Sequence, residues 1–311
     1  MKKNKETTMY ANRVNKGNYG YFFVAPFFIV FLLFGLYPIL YSFYLSLTNW
    51  DGLNNPEFIG LANYSRAFVD PLFLKSLFNT FFIWSVSVIP QLTISLILAV
   101  ILNNRFLKGK DFFRAVYFFP NIVTAASLGL LVSLMFDWQT GSVNQFLMSV
   151  GVIDSAVDWK NNPLFMQILV SSILFFQYFG YSMLIYIAGL QGISPEFEES
   201  ARVDGASKTQ IFFKITIPLL KPIIIFQVIT SLIGGVQIFD QPYMLTEGSG
   251  APDNATLTSV MYLYRTAFEQ GRFGYGATIA FCLFIIIVTL SSLSYLIARE
   301  RSRSKISLKE N

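Results

Sequence analysis

The chain has 311 residues, 54% hydrophobic and only 13% charged, with a formal net charge of +5, 33 Phe and no His. A soluble domain carries roughly 25% charged residues, and one core could not hide this much apolar surface, so a bilayer is the expected solvent. The lack of His and the single Cys282 exclude His-based acid–base chemistry, Cys2His2-type zinc sites and an intrachain disulfide.

In chain order, residues 1–18 read as a polar tail. Six apolar runs then reach the length of about 20 residues that a membrane span needs. They cover roughly 20–47, 76–102, 115–136, 165–191, 222–242 and 273–298. None carries Lys, Arg, Asp or Glu in its interior; Asp240 sits near the outer end of the fifth. Pro38, Pro90 and Pro120 fall inside spans, which lipid-embedded helices tolerate. The first run is far longer than the 7–15 apolar residues of a signal peptide, and no Ala-x-Ala site follows it, so it is expected to stay as a span. Residues 301–311 read as a second polar tail, leaving 19–300 as one all-α, six-helix membrane domain.

Of the 23 Lys and Arg, only Arg66, Lys75, Lys160, Arg265 and Arg272 fall in segments that are outer when the N-terminus is inside. The other 18 fall in inner segments, which puts both termini in the cytoplasm.

One polar insert, 192–221, separates the fourth and fifth runs on the inner side. Ser194 suits an N-cap and Pro195 the first helical position, while Glu196, Glu198 and Glu199 favour the positive end of a helix. Gly205 supplies a positive φ that ends this helix after about two and a half turns. Ser207 and Gln210 have capping-box spacing for a second helix bearing Ile211, Phe212 and Ile215 on one face. Pro218 and Pro222 are expected to end it and open the fifth span. Read by physics alone, the insert fits a protein-docking element, an interfacial helix pair, a solvated loop, or a site built on Glu198, Glu199 and Asp204. Interfacial helices usually carry a basic polar face, whereas this helix is acidic. Catalytic carboxylates need a pocket that shifts their pKa, which a short exposed loop does not offer.

Glu199-Ser200-Ala201, three residues, Gly205, nine residues, then Ile215-Thr216-Ile217-Pro218 resembles the EAA loop of permease subunits of ATP-binding-cassette (ABC) importers. The run Pro195 to Ala206, with Asp204-Gly205-Ala206, is similar to the carbohydrate branch of that family, the maltose, glycerol-3-phosphate and oligosaccharide type. Ser200 stands where the family has Ala, and Ile217 where it has Leu. Leu36-Tyr37-Pro38 through Ser46-Leu47-Thr48-Asn49-Trp50, Phe58 to Tyr64, and Phe239 to Thr246 resemble further stretches of these subunits. After Thr246 the family usually continues Gly-Gly-Pro; here Glu247-Gly248-Ser249-Gly250-Ala251-Pro252 is longer.

The resemblance implies the type I importer transmembrane fold, multi-pass in a bacterial cytoplasmic membrane. It implies import of a sugar, a di- or oligosaccharide, with this chain as half of the pathway and not an enzyme. The implied partners are a second homologous permease, a dimeric ATPase that binds ATP and Mg, and an extracytoplasmic solute-binding protein. Glu199, Ser200, Ala201, Asp204, Gly205, Ile215 and Pro218 would form the ATPase-coupling loop. This chain has no Gly-x4-Gly-Lys-[Ser/Thr] phosphate loop, so no cofactor is expected on it, and neither a metal nor a nucleic acid.

A neutral sugar presents hydroxyls and apolar ring faces, so its path should offer amides, hydroxyls and aromatic rings. Gln177, Tyr178, Tyr181, Ser231 and Gln237 supply these in the fourth and fifth spans; ordinary interhelical hydrogen bonding is the competing reading. Gly234 and Gly235 would permit close packing or a local break. An alternative cargo is glycerol-3-phosphate or a related polyol, although intramembrane Lys and Arg are lacking. An ion-coupled secondary transporter would usually keep an ionisable residue at mid-membrane and show inverted repeats.

Overall fold

The computed structural model describes residues 19–104 and 106–307. The tail 1–18, Arg105 and residues 308–311 lie outside the described residues. The first span is built from α1 (Tyr19–Phe31), a five-residue π turn (Leu32–Leu36) and α2 (Tyr37–Ser46). Its side chains, among them Phe22, Phe27, Phe28 and Phe34, point outward, as a helix bathed in hydrocarbon requires. A two-residue antiparallel ladder follows, β1 (Thr48–Asn49) with β2 (Glu57–Phe58), pairing Thr48 with Phe58 and Asn49 with Glu57.

After α3 (Ala62–Ala67), α4 (Pro71–Leu102) forms the second span without a break at Pro90. Asp70 caps α4, accepting from the backbone N–H of Leu72 and Phe73. The same carboxylate accepts from the hydroxyls of Tyr262 at 2.6 Å and Tyr275 at 2.7 Å, tying the N-terminal end of α4 to two distant segments.

The third span departs from the straight helix expected over 115–136. Here α5 (Lys110–Ile122) and α6 (Ala125–Met135) meet at 89°. Val123 is extended (φ −71°, ψ 135°), and Thr124 caps α6 by accepting from the backbone N–H of Ser127. The described residues thus hold five helices long and apolar enough to cross a membrane, and six spans when the bent pair counts as one.

Then α7 (Ser142–Ser149) leads to α8 (Pro163–Gln191), the fourth span, which packs against α4. The insert supplies α9 (Pro195–Val203) and α10 (Lys208–Ile211). The expected break at Pro218 and Pro222 does not occur. A π turn (Phe212–Thr216) joins α10 directly to α11 (Ile217–Val236), so one helix runs from Lys208 to Val236. Pro218 is the second residue after this π turn, as Pro38 is after Leu32–Leu36. In a regular α-helix a proline ring clashes with the carbonyl four residues back. The wider turn removes that clash, so both prolines sit in helices that continue.

The fifth span then stops at Val236, short of the expected 242, and α12 (Asp240–Leu245) restarts after Gln237–Phe239. It is followed by α13 (Ser259–Tyr264), a π turn (Arg265–Glu269) and α14 (Phe273–Ser307), the sixth span. The last helix continues to Ser307, through residues 301–307 expected to belong to a tail.

Three buried clusters stack along this frame. One gathers Phe73, Leu257, Met261, Tyr275 and Ile279 near the N-terminal end of α4, and a second gathers Ile83, Leu128, Met166, Val170 and Ile238. A third, with Ala99, Met183, Tyr186, Ile187 and Leu220, lies where α8 and α11 approach the insert. Glycine permits the closest crossing: a Cβ on Gly180 would lie 1.8 Å from the Tyr117 carbonyl oxygen, so α5 crosses α8 in backbone contact.

Candidate functional site

The insert folds by local rules. Ser194 Oγ accepts from the backbone N–H of Glu196, Pro195 occupies the first helical position, and Glu196 and Glu198 lie in the first turn of α9. Glu198 pairs with Arg202 one turn on, acid before base, the favourable order for a helix. At the other end the Ala206 N–H donates to Ala201 O at 2.9 Å and the Gly205 N–H to Arg202 O at 3.1 Å. That bond pair is a Schellman termination, and Gly205 has the left-handed φ of +78° it requires. Ser207 and Gln210 then complete a reciprocal capping box: Ser207 N–H donates to Gln210 Oε1 and Gln210 N–H to Ser207 Oγ.

α9 therefore starts and stops on its own hydrogen bonds and owes little to packing. Ala201 is its one buried residue, while Glu199 and Ser200 face outward and Phe197 and Val203 are 51% and 88% exposed. Glu199 makes no ion pair with another described residue. Behind the turn lies a cleft of about 280 Å³, lined by Asp204, Gly205, Gln210, Ile211, Lys214 and Ile215. Pro218 is exposed and Ile215 half-buried, so of the sequence-selected loop residues Ala201 alone is buried.

The five intramembrane candidates fall into two groups. Tyr178 and Tyr181, three residues apart on α8, are exposed, as is Gln237 where α11 ends. Gln177 and Ser231 instead serve the scaffold. Gln177 is buried, donates to the Val123 carbonyl at 3.2 Å, and accepts from the Gln241 amide at 2.8 Å. Its own backbone carbonyl accepts from Asn121. It thus fixes the bend between α5 and α6. Ser231 Oγ donates to Val228 O within its own helix. Gly235 packs against Trp84, whereas Gly234 faces open space.

Two features escape residue-by-residue inspection of the sequence. Thr230, Gly234 and Gln237 form an exposed stripe at i, i+4 and i+7 on α11, a pattern the helical period would have revealed. A buried polar seam also joins three spans. Gln91 Nε2 donates to Ser182 Oγ, Gln227 Nε2 to Ser182 O, and Ser95 Oγ to Phe179 O. Gln91 and Ser95, four apart in an apolar run, are its only sequence signal. A groove of about 500 Å³ between α6 and α8 is lined by Leu, Val, Ile, Phe and Met, with Ser172 as its single hydroxyl, and suits an acyl chain better than a sugar.

Residues 91–303 match the family described as binding-protein-dependent transport system inner membrane component. The chain is 38% identical over 283 residues to the lactose transport system permease protein LacF of Rhizobium radiobacter, covering 91% of this chain and 94% of that one. It is 34% identical over 280 residues to the arabinooligosaccharides transport system permease protein AraP of Bacillus subtilis (strain 168), covering 88% and 86%. To the trehalose/maltose transport system permease protein MalF of Thermococcus litoralis it is 33% identical, covering 91% and 94%. Its fold matches a chain of a bacterial ABC transporter involved in the import of the acidic polysaccharide alginate, with a TM-score of 0.79 at 20% identity, over 94% of this chain and 99% of that one. A second structure of an alginate transporter, in complex with a periplasmic protein bound to an alginate pentasaccharide, gives a TM-score of 0.80 at 20% identity, over 93% and 96%.

Proposed function

Since the chain belongs to the family of binding-protein-dependent transport system inner membrane components, a multi-pass permease subunit and not an enzyme, we propose that it forms half of the pathway of a bacterial ABC importer for a di- or oligosaccharide. Two of the relatives above carry lactose and arabinooligosaccharides in their names, which favours a sugar cargo. The exposed polar groups Tyr178, Tyr181, Thr230 and Gln237 also suit one, with Gln177 holding the helices behind them. No Lys or Arg stands among these residues, so glycerol-3-phosphate is the weaker reading.

The observation that carries coupling is α9: a short acidic helix, capped at both ends and exposed on nearly every face, leading through α10 into an uninterrupted helix that reaches Val236. A helix of nine residues is marginal in isolation, so a protein groove is its natural environment. In this reading α9 seats in a cytoplasmic ATPase, which binds the ATP and Mg. Glu199 meets a basic group there, and the small Ser200 beside it allows close approach, while Ala201 packs inward. Rigid-body motion of the ATPase then reaches α11 and shifts the pathway between outward and inward access. A second permease completes the pathway and an extracytoplasmic binding protein delivers the cargo in the cytoplasmic membrane.

The test is to purify the assembled transporter with Glu199→Ala or Ala201→Trp. Binding-protein-stimulated ATP hydrolysis and co-purification of the ATPase should both fall. Wild-type values of both in the two variants would remove α9 from the coupling role.

A further inference from the structure

Asp240 is the one acidic residue within the six apolar runs, and the helix it begins gives it no structural task. The N-cap of α12 is Phe239, and no backbone N–H bonds the Asp240 side chain. None of the ion pairs among the described residues includes it. Its neighbours in the chain are held firmly. Gln241 is buried and donates to Gln177 at 2.8 Å, and Phe239 stacks on Tyr243 with ring centroids 4.9 Å apart and lies 5.3 Å from Tyr264. The backbone at 240 is thereby fixed from both sides, and the carboxylate is left exposed.

Its direction follows from the company it keeps. Thr230, Gly234 and Gln237 form the exposed stripe of α11, and Asp240, also exposed, opens α12 three residues beyond Gln237. The Gln241–Gln177 bond draws the start of α12 against α8 beside the exposed Tyr178. These exposed groups, a carboxylate among them, cannot face hydrocarbon, where an ionised side chain is strongly disfavoured. They face water or the partner across the pathway.

We propose that Asp240 is a charge filter at the outer mouth of the pathway, favouring neutral, hydroxyl-rich solutes over anionic ones. This rests on the pathway reading above. A carboxylate can accept from two adjacent hydroxyls of a sugar at once, with the neighbouring Tyr178 ring offering an apolar face. The same charge repels a phosphate, sulfonate or uronate brought to the same place.

The test uses the assembled transporter in proteoliposomes, with Cys282→Ala to remove the native thiol and Gln237→Cys to place a reporter thiol. Two methanethiosulfonate reagents of similar size are compared, one ending in trimethylammonium and one in sulfonate. With Asp240 present the cation should react faster. With Asp240→Asn the cation-to-anion rate ratio should fall roughly tenfold, since one nearby charge acts with opposite sign on the two reagents. Asp240→Glu should retain the wild-type ratio, which separates charge from misfolding. A ratio unchanged by Asp240→Asn, with the reporter thiol still reactive, overturns the filter and leaves the pathway standing. A reporter thiol unreactive to both reagents in every nucleotide state overturns the pathway reading, and the filter with it.

Discussion

The Gln241 amide donates to the Gln177 side-chain oxygen at 2.8 Å, joining α12 to the middle of α8, while the Gln177 amide reaches the Val123 carbonyl exposed by the third-span bend. One side chain therefore holds a bent span and a broken span together. Replacing either glutamine strands the other's amide in a dry site, where an unmet partner costs about 1–3 kcal/mol in soluble proteins and nearer 1 between membrane helices. Gln177→Leu and Gln241→Leu should each lower the unfolding midpoint in detergent. The double variant should lose less than the sum, the mark of a direct bond.

Glycine at the α5–α8 crossing is set by backbone contact. Gly180→Ala would drive a Cβ into the Tyr117 carbonyl, which cannot rotate away, so the variant should assemble poorly and unfold early. Gly234→Ala meets nothing within 4 Å and should fold as the parent does. Yield and thermal midpoint of the two purified variants make the comparison.

Gly205 also faces open space, so its requirement is conformational. Its φ of +78° is one that a β-branched residue rarely adopts. Gly205→Ala should cost about 1–2 kcal/mol of local stability and largely keep the ATPase bound. Gly205→Val should break the Schellman bonds to Ala201 and Arg202, misdirect α10 and lose the ATPase on co-purification.

Partial burial pushes the Asp70 carboxyl up, but hydrogen bonds from Tyr262, Tyr275, Phe73 and Leu72 outweigh it, and the carboxyl sits below its usual range. The ionised form is thus the one the fold prefers. Its contribution is full above the ordinary carboxylate value of about 4 and disappears as pH falls through the lowered value. Wild type should be more stable than Asp70→Asn at neutral pH, and the gap should close below about pH 4. Denaturant unfolding across that range measures it.

Orientation is testable with Ser304→Cys in a Cys282→Ala background. The cytoplasmic terminus inferred from the Lys and Arg distribution requires that an impermeant thiol reagent label it in broken cells and not in intact ones.

The insert was legible because its code is local. Ser194, Pro195, Gly205, Ser207 and Gln210 each act on backbone groups within a few residues, and each does so in the structure. The bend in the third span was not legible. Pro120 lies inside α5 without breaking it, and the turn falls at Val123, whose carbonyl is met by a glutamine 54 residues away. Continuity through Pro218 was hidden for a similar reason: a proline reads as a stop unless the preceding turn is known to be wide. Among the pathway candidates, residue type marked Gln177 and Tyr178 alike. Only the fold shows one amide spent on scaffold bonds and the neighbouring ring left exposed.

The π turn at Phe212–Thr216 fixes a compass heading. Each α-helical residue advances the chain by about 100° around the axis, and a π turn takes in one residue more than the α turn it replaces. Everything before Phe212, including the Schellman turn and α9, is thus rotated by roughly that angle from where an unbroken α-helix would aim it. Deleting a single residue between Phe212 and Thr216 would swing the loop to another side of the span and bring the Pro218 ring against the preceding turn. The direction in which α9 projects is therefore written in the number of residues between Ile211 and Pro218, and the side chains there are freer to vary than their count.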